Sequence, residues 1–528
     1  MFRLKQYKSQ EKDIQYEKIY SLIPLNIFQT WYTLDLPENM RRNIDLLKQT
    51  NPEFKHYLYD DEMCRNFIKE NFNNDTLWAF DKLRPGAYKA DLWRYCVLYI
   101  HGGIYLDIKF RSVNNFRLIE LTDKEYWVKD RKRDINGIYQ ALMITFPKNE
   151  ILQKAIESII VNCKNNFYSL NPLAVSGPSL LGKYFNEKEF QKFPLENIGD
   201  IIIKNNISIL HHYSQYRKEQ NDKQKTPHYD FMWNMLDIYN YPTLNSIKKI
   251  DITYNLNLNV DNRETTFYSF LPIVIKKEDQ IIIFIEHVVN NKVKSQYFTI
   301  TQSTIDFDLN NQSENKLLQY NFNKNITYNL RIFYTNNNLY YLCNHIYQQD
   351  FLYISSHKLD KDNTFIYNPI NEDHYRKSKN QKELQFFLFQ NKLSIINGWY
   401  PLQIGNIDYD NRNLKVNHIK YDTPSFFYNI THSSNGVTIK DEIWFILGEE
   451  KSKNNRILSK HLFAVFDLDM NFKKHSEFFS FENEIHETCK SFFVEKNQMF
   501  IAYTVFYNKC YIAKYKISHI LEALKWFE

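Results

Sequence analysis

The sequence predicts an α/β domain followed by an all-β domain, on three observations. Short apolar strands alternate with amphipathic helices up to about residue 245; alternation of period two takes over from about Asp251; and five hairpin-like turns then recur at intervals of roughly 50 to 59 residues. A chain of 528 residues has room for more than one cored domain. Composition breaks at the same place: ten of the fourteen Pro and seven of the eleven Gly lie before residue 245, where helices and their connections need stops and turns.

Along the first part, Ile23–Phe28 reads as extended, Pro37–Gln49 as helical, Lys55–Tyr59 as extended, Asp61–Asn71 as helical, Ala87–Ile100 as helical and Ile104–Ile108 as extended. Strand and helix in turn imply layered α/β packing. In the second part the turns Lys277-Glu278-Asp279, Asn336-Asn337-Asn338, Gln390-Asn391-Lys392, Lys440-Asp441-Glu442 and Lys496-Asn497-Gln498 each separate two strand-like runs. Several strands per unit at one period is the pattern of a β-propeller, here with five blades; an irregular β-sandwich with evenly spaced hairpins is the competing arrangement. The expected boundaries are an N-terminal extension over 1–20, the α/β domain over 21–245, the propeller over 250–516 and a terminal helix over 517–528, with Ile517–Phe527 helical.

Lys plus Arg exceeds Asp plus Glu by 67 to 61, an excess of +6 that is too dispersed to imply nucleic acid or a membrane surface as partner. The six Cys (Cys64, Cys96, Cys163, Cys343, Cys489, Cys510) show no C-x-x-C spacing, which argues against a zinc ribbon or disulfide framework and for a reducing compartment. The longest apolar run, Ile281–Ile285, is far below the roughly 20 residues of a spanning helix, and MFRLKQYKSQEKD lacks a signal core, so a soluble, cytoplasmic protein is expected.

With 11 Gly in 528 residues, about 0.2 adjacent pairs are expected by chance, and Gly102-Gly103 is therefore informative. It sits inside RPGAYKADLWRYCVLYIHGGIYLDIKF (Arg84–Phe110). Ala87, Ala90, Asp91, Arg94 and Leu98 share one helix face, so Asp91 and Arg94 project together. Gly102 fits a helix C-cap with positive φ, and Gly103 a tight turn into the next strand. Asp107 then emerges at the C-terminal end of a buried strand, the edge where open α/β sheets bind ligands, and on a strand Lys109 would share its side. A carboxylate can hold ribose hydroxyls or a divalent cation, and a cation can neutralise a diphosphate leaving group.

IPLNIFQTW (Ile23–Trp31), KADLWRYCVLYIHGGIYLDI and a later His and Trp together resemble the glycosyltransferase family 32 domain, the DXD-containing sugar-transferase region of initiating mannosyltransferases and capsular polysaccharide enzymes, over about residues 20 to 240. The resemblance implies a GT-A, Rossmann-like fold binding a UDP- or GDP-sugar, and retaining transfer to a glycan or glycoprotein acceptor with no organic cofactor. It implies that Ile27–Trp31, with Gln29 and Trp31, lines the nucleotide pocket, that Asp91 and Arg94 contact donor sugar and phosphate beside Gly103 and Tyr105, and that Asp107 is the first Asp of DXD. Lys109 replaces the second Asp, which leaves Mn²⁺ or Mg²⁺ on Asp107 and His228 in competition with a metal-free site in which Lys109 neutralises the β-phosphate. Gln140 falls where the family has Asn beside the reacting carbon, Ser176-Gly177-Pro178 resembles a threonine-glycine-proline loop, and His228 and Trp233 resemble the residues that reach the diphosphate and cap the donor. Arg217–Thr226 is either a lid or a solvated loop.

Other residues carry less. His211-His212 has no ligand partner at metal spacing, one residue expected at a strand end and the other exposed; His101 reads as a helix C-terminal residue; Trp399 and Tyr400 read as packing rather than a sugar platform. Three function classes follow: a nucleotide-sugar glycosyltransferase, a catalytically inactive carbohydrate-binding or scaffold protein, and a bifunctional chain whose propeller also acts on glycans. The Asn, Lys, Ile, Tyr and Phe bias matches AT-rich codon usage, which suits a large DNA virus or a microbe.

Overall fold

Long-range contacts in the computed structural model divide the chain into two units, Met1–Asn240 and Tyr241–Glu528. The structure describes residues 2–6, 16–130, 137–223, 226–260, 262–289, 298–318, 326–335, 338–347, 351–358, 366–367, 385–390, 392–408 and 413–528.

In the N-terminal unit a hairpin of Phe2–Gln6 with Tyr16–Tyr20 precedes a four-stranded sheet. The strand Asn26–Thr30 pairs in parallel with Lys55–Tyr59 on one side and with Gly103–Leu106 on the other, and Gly103–Leu106 pairs antiparallel with Leu142–Thr145. The first strand thus begins at Asn26 rather than Ile23, because Asn26 N–H is used by Pro24 O and Leu22 and Ile23 bond to Thr122 O instead. Helices Glu38–Thr50, Asp61–Asn71 and Gly86–His101 lie within one residue of the sequence reading, and a further helix, Asn74–Lys82, is started by Asn73, whose side chain accepts from Thr76 N–H. A second sheet, in which Phe110–Ser112 pairs with Ile207–His212, packs with the first around Ile27, Ile104, Leu106, Phe110, Leu142 and Leu210.

Two local expectations are corrected. The central strand stops at Leu106, not Ile108, because Asp107 N–H turns to Ala141 O and Phe110 N–H closes on Asp107 O at 3.1 Å. Asp107 and Lys109 therefore sit in a turn, not on a strand. Arg217–Lys223 is not a loop: Tyr216–Lys223 is helical and docks through Glu219, which accepts from Asn39 N–H and Nδ2 and from Tyr213 OH; residues 224–225 lie outside the description.

The second unit is β-rich. Among the described residues it has five sheets built from consecutive antiparallel strands, except that Lys248–Asp251 joins Lys509–Lys516 in the final sheet, Trp526–Phe527 joins Phe472–Ser476, and His432–Ser433 and Val437–Ile439 both pair with Glu442–Lys453. The expected hairpins join Arg263–Lys277 to Gln280–Val289, Ile326–Thr335 to Asn338–Tyr347, Gln385–Phe389 to Lys392–Trp399, Val437–Ile439 to Glu442–Lys453 and Thr488–Glu495 to Gln498–Val505; residues 336–337 and 391 of two turns are outside the description. The first strand of each hairpin packs on the first strand of the next, and Thr488–Glu495 packs on Arg263–Lys277. The terminal helix is shorter than expected, Ile517–Ala523. Trp399 is buried against Phe445 and Phe466, a packing role. Among the described residues no helix is long and apolar enough to cross a membrane.

Candidate active site

The Gly86–His101 helix is buried on nearly all sides, so any polar residue in its middle must be held by specific partners. It ends at Gly102, with φ at 60° and an N–H bonded to Leu98 O, where a Cβ would meet Pro147 Cδ at 2.6 Å. Gly103, with φ at 112°, crosses Asn26 O at a distance that leaves 2.8 Å for a Cβ. These two glycines let a helix feed directly into an interior strand and deliver Asp107 one residue past the strand end.

The turn that follows is pinned from two sides. Asn43 Nδ2 donates to Ile108 O at 3.0 Å and to Phe110 O at 2.9 Å, and Tyr213 N–H donates to Lys109 O at 3.0 Å. The turn places Lys109 Nζ 2.7 Å from Asp107 Oδ2, while Tyr105 OH donates to Asp107 Oδ1 at 2.8 Å. Arg94 lies 3.8 Å from Asp107 and 3.6 Å from Asp91, with its guanidinium 4.4 Å above the Tyr105 ring. Asp91, Arg94, Asp107 and Lys109 thus form one chain of alternating charge, and the turn achieves the juxtaposition that a strand face was expected to provide.

Asp91 is anchored across 85 residues of sequence by Ser176 Oγ, which donates to its Oδ2 at 2.8 Å. Gly177 allows this approach, since a Cβ there would lie 3.5 Å from Asp91 Oδ2 and 3.1 Å from Leu173 O. The Ser176 carbonyl in turn accepts from Tyr95 OH at 3.0 Å and from Gln140 Nε2 at 3.3 Å, and Gln140 Nε2 also meets Tyr95 OH. Gln140 is buried and is linked to Asp91 through Ser176.

Burial raises the Asp91 carboxyl to about 6, against the lowering influence of Arg94 and Ser176. Burial would also raise Asp107, but Lys109 and Arg94, with hydrogen bonds from Lys109 and Tyr105, hold it well below the usual carboxylate range. Lys109 loses solvation yet is kept charged by Asp107 and by the phenols of Tyr139 and Tyr216. Its ammonium stands 5.4 Å from the Tyr139 ring centre and 5.5 Å from that of Phe110. Tyr95, Tyr139 and Tyr216 were not singled out by the sequence; only fold-level contact identifies them.

The remaining expected residues are placed differently. Gln29 is fully buried and its Oε1 meets His56 Nε2 at 2.7 Å, directing it along the sheet. Trp31 packs against Leu36, Met40 and Tyr216, and its indole N–H is shielded without a hydrogen-bond partner among the described residues. His228 is exposed and caps the Tyr229–Asn234 helix, its Nδ1 accepting from Asp230 N–H at 3.2 Å; Trp233 is buried in that helix. His211 and His212 are both half-buried, so neither is the exposed member expected; His211 pairs with Ser208 and His212 meets Phe110 edge to face. His101 ends its helix and stacks on Phe28.

The donor set does not fit a divalent cation. One Asp107 oxygen faces an ammonium and the other a phenol, Asp91 is turned to Ser176 and Arg94, and residue 109 supplies no carboxylate. Among the described residues no group of three or more His, Cys, Asp or Glu is disposed to hold a metal ion.

Comparison with known proteins bears on the same segment. Residues 37–127 match the family model described as a glycosyltransferase sugar-binding region containing a DXD motif. The chain is 30% identical over 173 residues to an inositol phosphoceramide mannosyltransferase of Schizosaccharomyces pombe, covering 33% of this chain and 49% of that protein. It is 31% identical over 156 residues to a mannosyl phosphorylinositol ceramide synthase of Saccharomyces cerevisiae (29% and 39%), and 39% identical over 89 residues to an uncharacterized glycosyltransferase of Acanthamoeba polyphaga mimivirus (16% and 36%). The chain spans about half or less of the length of these relatives. Among solved structures, a β-1,2-mannobiose phosphorylase from Listeria innocua aligns with a TM-score of 0.39 at 10% identity, over 53% of this chain and 99% of that one; a glycosyl hydrolase from Bacteroides ovatus aligns with the same score at 11% identity, over 53% and 95%. Residues 37–127, which carry Asp91, Arg94, Asp107 and Lys109, are thereby similar to the sugar-binding region of DXD-containing glycosyltransferases.

Proposed function

We propose that the N-terminal unit is a nucleotide-sugar-dependent glycosyltransferase that moves a hexosyl group, mannosyl by analogy with the named relatives, from a UDP- or GDP-sugar to a glycan or glycoprotein acceptor with retention of configuration. The observation that carries this reading is the Asp91–Arg94–Asp107–Lys109 chain at the C-terminal tip of an interior parallel strand. Arg94, buried, and Lys109, half-buried and kept charged by Asp107, are two cations fixed before substrate arrives, which is what stabilising a departing diphosphate requires. Asp91 and Asp107 orient these cations and offer acceptors to sugar and ribose hydroxyls.

In the proposed mechanism the acceptor hydroxyl attacks the anomeric carbon on the face that the diphosphate leaves, its proton passing to the leaving phosphate oxygen while Lys109 and Arg94 neutralise that group. No metal takes part, consistent with the donor set. The second unit is proposed to be a five-bladed propeller, each of its sheets being one blade and Lys248–Asp251 closing the last.

The test is release of nucleoside diphosphate from a panel of UDP- and GDP-hexoses by the full chain, in EDTA and in Mn²⁺, against Asp107→Ala. Turnover in EDTA that Asp107→Ala abolishes supports the reading. Absence of turnover with every donor in both conditions refutes it.

A further inference from the structure

Asn43 is misplaced by the standards of its own helix. It lies in the middle of Glu38–Thr50, among the buried residues Met40, Ile44 and Leu47, and is itself 5% exposed. Asn is a poor helix former, because its amide competes for backbone groups, and a buried amide is costly unless it is bonded. Its apolar neighbours on the helix offer it no partner. A Leu at this position would suit both the helix and the core.

The partners are on another segment. Asn43 Nδ2 donates to Ile108 O at 3.0 Å and to Phe110 O at 2.9 Å, and two acceptors facing one amide require its nitrogen to point at them. These carbonyls flank Lys109. Of the four carbonyls of the turn, Asp107 O accepts from Phe110 N–H at 3.1 Å, Lys109 O accepts from Tyr213 N–H at 3.0 Å, and the other two belong to Asn43. Tyr213 is held from the same helix: its OH donates to Glu219 Oε2 at 2.9 Å, and Glu219 Oε1 accepts at 2.7 Å from Nδ2 of Asn39, one helical turn before Asn43. Asn39 and Asn43 thus reach three consecutive carbonyls, one through Glu219 and Tyr213 and two directly.

A turn has no repeating ladder, so these bonds set its shape. Lys109 is carried between the two carbonyls that Asn43 holds, and its ammonium arrives 2.7 Å from Asp107 Oδ2. Moving the turn moves that ammonium relative to Asp107 and to any phosphate it neutralises. Misplacement of a reacting group by about 1 Å costs as much as about 100-fold in rate.

We propose that Asn43 is a positioning residue: it fixes Lys109 against Asp107 without touching substrate, and so acts on the chemical step rather than on donor affinity. Its catalytic consequence rests on the glycosyltransferase reading; its hold on Lys109 rests on the hydrogen bonds alone.

The test compares Asn43→Ala with Leu47→Ala in the full chain. Leu47 lies one turn further along the helix, is 2% exposed and gives the turn no hydrogen bond, so its truncation reports lost packing. Two quantities are read: kcat and KM for nucleoside diphosphate release from UDP- and GDP-hexoses, and the rate at which acetic anhydride acetylates Lys109 in the native protein, followed by peptide mass spectrometry. Asn43→Ala should lower kcat about 10- to 100-fold with KM within about threefold. It should also speed Lys109 acetylation by up to about tenfold, the weight of one lost hydrogen bond. Leu47→Ala, at least as destabilised in urea, should leave both near wild type. Asn43→Ser, which keeps one donor, should fall between wild type and Asn43→Ala, and carries the comparison if Asn43→Ala does not fold. Equal kcat losses in Asn43→Ala and Leu47→Ala, or unchanged Lys109 acetylation in the Asn43 variants, overturns the proposal. If the wild type releases no nucleotide from any donor, the glycosyltransferase reading is what fails, and the acetylation rates still decide whether Asn43 places Lys109.

Discussion

Replacing Lys109 by Gln tests the proposed catalysis where its charge resides. The side chain is 14% exposed and its ammonium lies 2.7 Å from Asp107 Oδ2, in a site closed by Tyr139, Phe110 and Tyr216. At an effective dielectric near 20, a unit charge about 4 Å from a phosphate oxygen is worth about 4 kcal/mol. Part of that acts on bound donor as well as on the transition state, so the loss in kcat should be the 10²–10³-fold, or about 3–4 kcal/mol, seen when one preorganised group is removed. The fold should survive, because Asp107 keeps Tyr105 OH at 2.8 Å and Arg94 at 3.8 Å; a stability loss of about 1–3 kcal/mol is expected, less than for a buried pair left with no second partner. The assay is nucleoside diphosphate release in EDTA, with urea melts to confirm folding. A Lys109→Gln enzyme within about threefold of the wild type, set against the loss expected for one preorganised charge, or wild-type activity that vanishes in EDTA and returns with Mn²⁺, would refute the argument.

Further outcomes follow from the same geometry. Asp91→Asn should abolish transfer yet stabilise the protein: with its carboxyl raised to about 6 by burial, Asp91 contributes stability that is complete below its ordinary value near 3.8 and lost as pH rises through 6, so the variant should gain up to about 3 kcal/mol at pH 8 and nothing at pH 3.5. Denaturant melts at the two pH values check this, and destabilisation at pH 8 would contradict it. His56 has the opposite sign: burial, with Lys48, depresses it to about 4, so its contribution is present above pH 6.5 and lost as pH falls towards 4, and His56→Gln should flatten acid unfolding in that window, read by circular dichroism. Gly103→Ala forces a Cβ to within 2.8 Å of Asn26 O at a φ of 112° and should cost about 2–4 kcal/mol, measured by urea midpoint. Ser176→Ala should remove the 2.8 Å bond to Asp91, lower kcat about tenfold and cost about 1–3 kcal/mol of stability through the carboxyl oxygen it leaves unsatisfied, read by kinetics and calorimetry together.

What the sequence disclosed was what short-range geometry controls. Asp91 and Arg94 are three apart on one helix, and Gly102-Gly103 needs the backbone freedom it turned out to use, so the helix, the strand and the emergence of Asp107 were legible from spacing alone. The pairing of Asp107 with Lys109 was anticipated for a different reason than the one observed: period two on a strand and the turn held by Asn43 both bring i and i+2 together, and only tertiary hydrogen bonds decide between them. Ser176 on Asp91 and Tyr95 on Ser176 span more than eighty residues and have no local signature. Tyr216–Lys223 was misread because its charged residues show almost no apolar face; it is helical because Glu219 is captured by Asn39 and Tyr213. In the second unit the hairpins were legible from their turns, whereas the burial of Gln385 was not, since a lone Gln before two Phe reads as an ordinary strand start.

The exchange of an acid for Lys109 has a simple electrostatic reading. An aspartate at 109 would leave three carboxylates around one guanidinium, a net charge of two negatives that a divalent cation would cancel. Lys109 changes that balance by two units in a single step, and the cluster as found, with two carboxylates and two cations, is formally neutral without an ion. On the proposed metal-free mechanism the ammonium is therefore the charge equivalent of that cation. It differs in being tethered: on the proposed mechanism Lys109 exchanges the product's phosphate for Asp107, which stands 2.7 Å away, and so returns to it. That return would compete with product diphosphate for the same cation, so on the proposed mechanism the Asp107–Lys109 pair helps to eject the leaving nucleotide as well as to bind it.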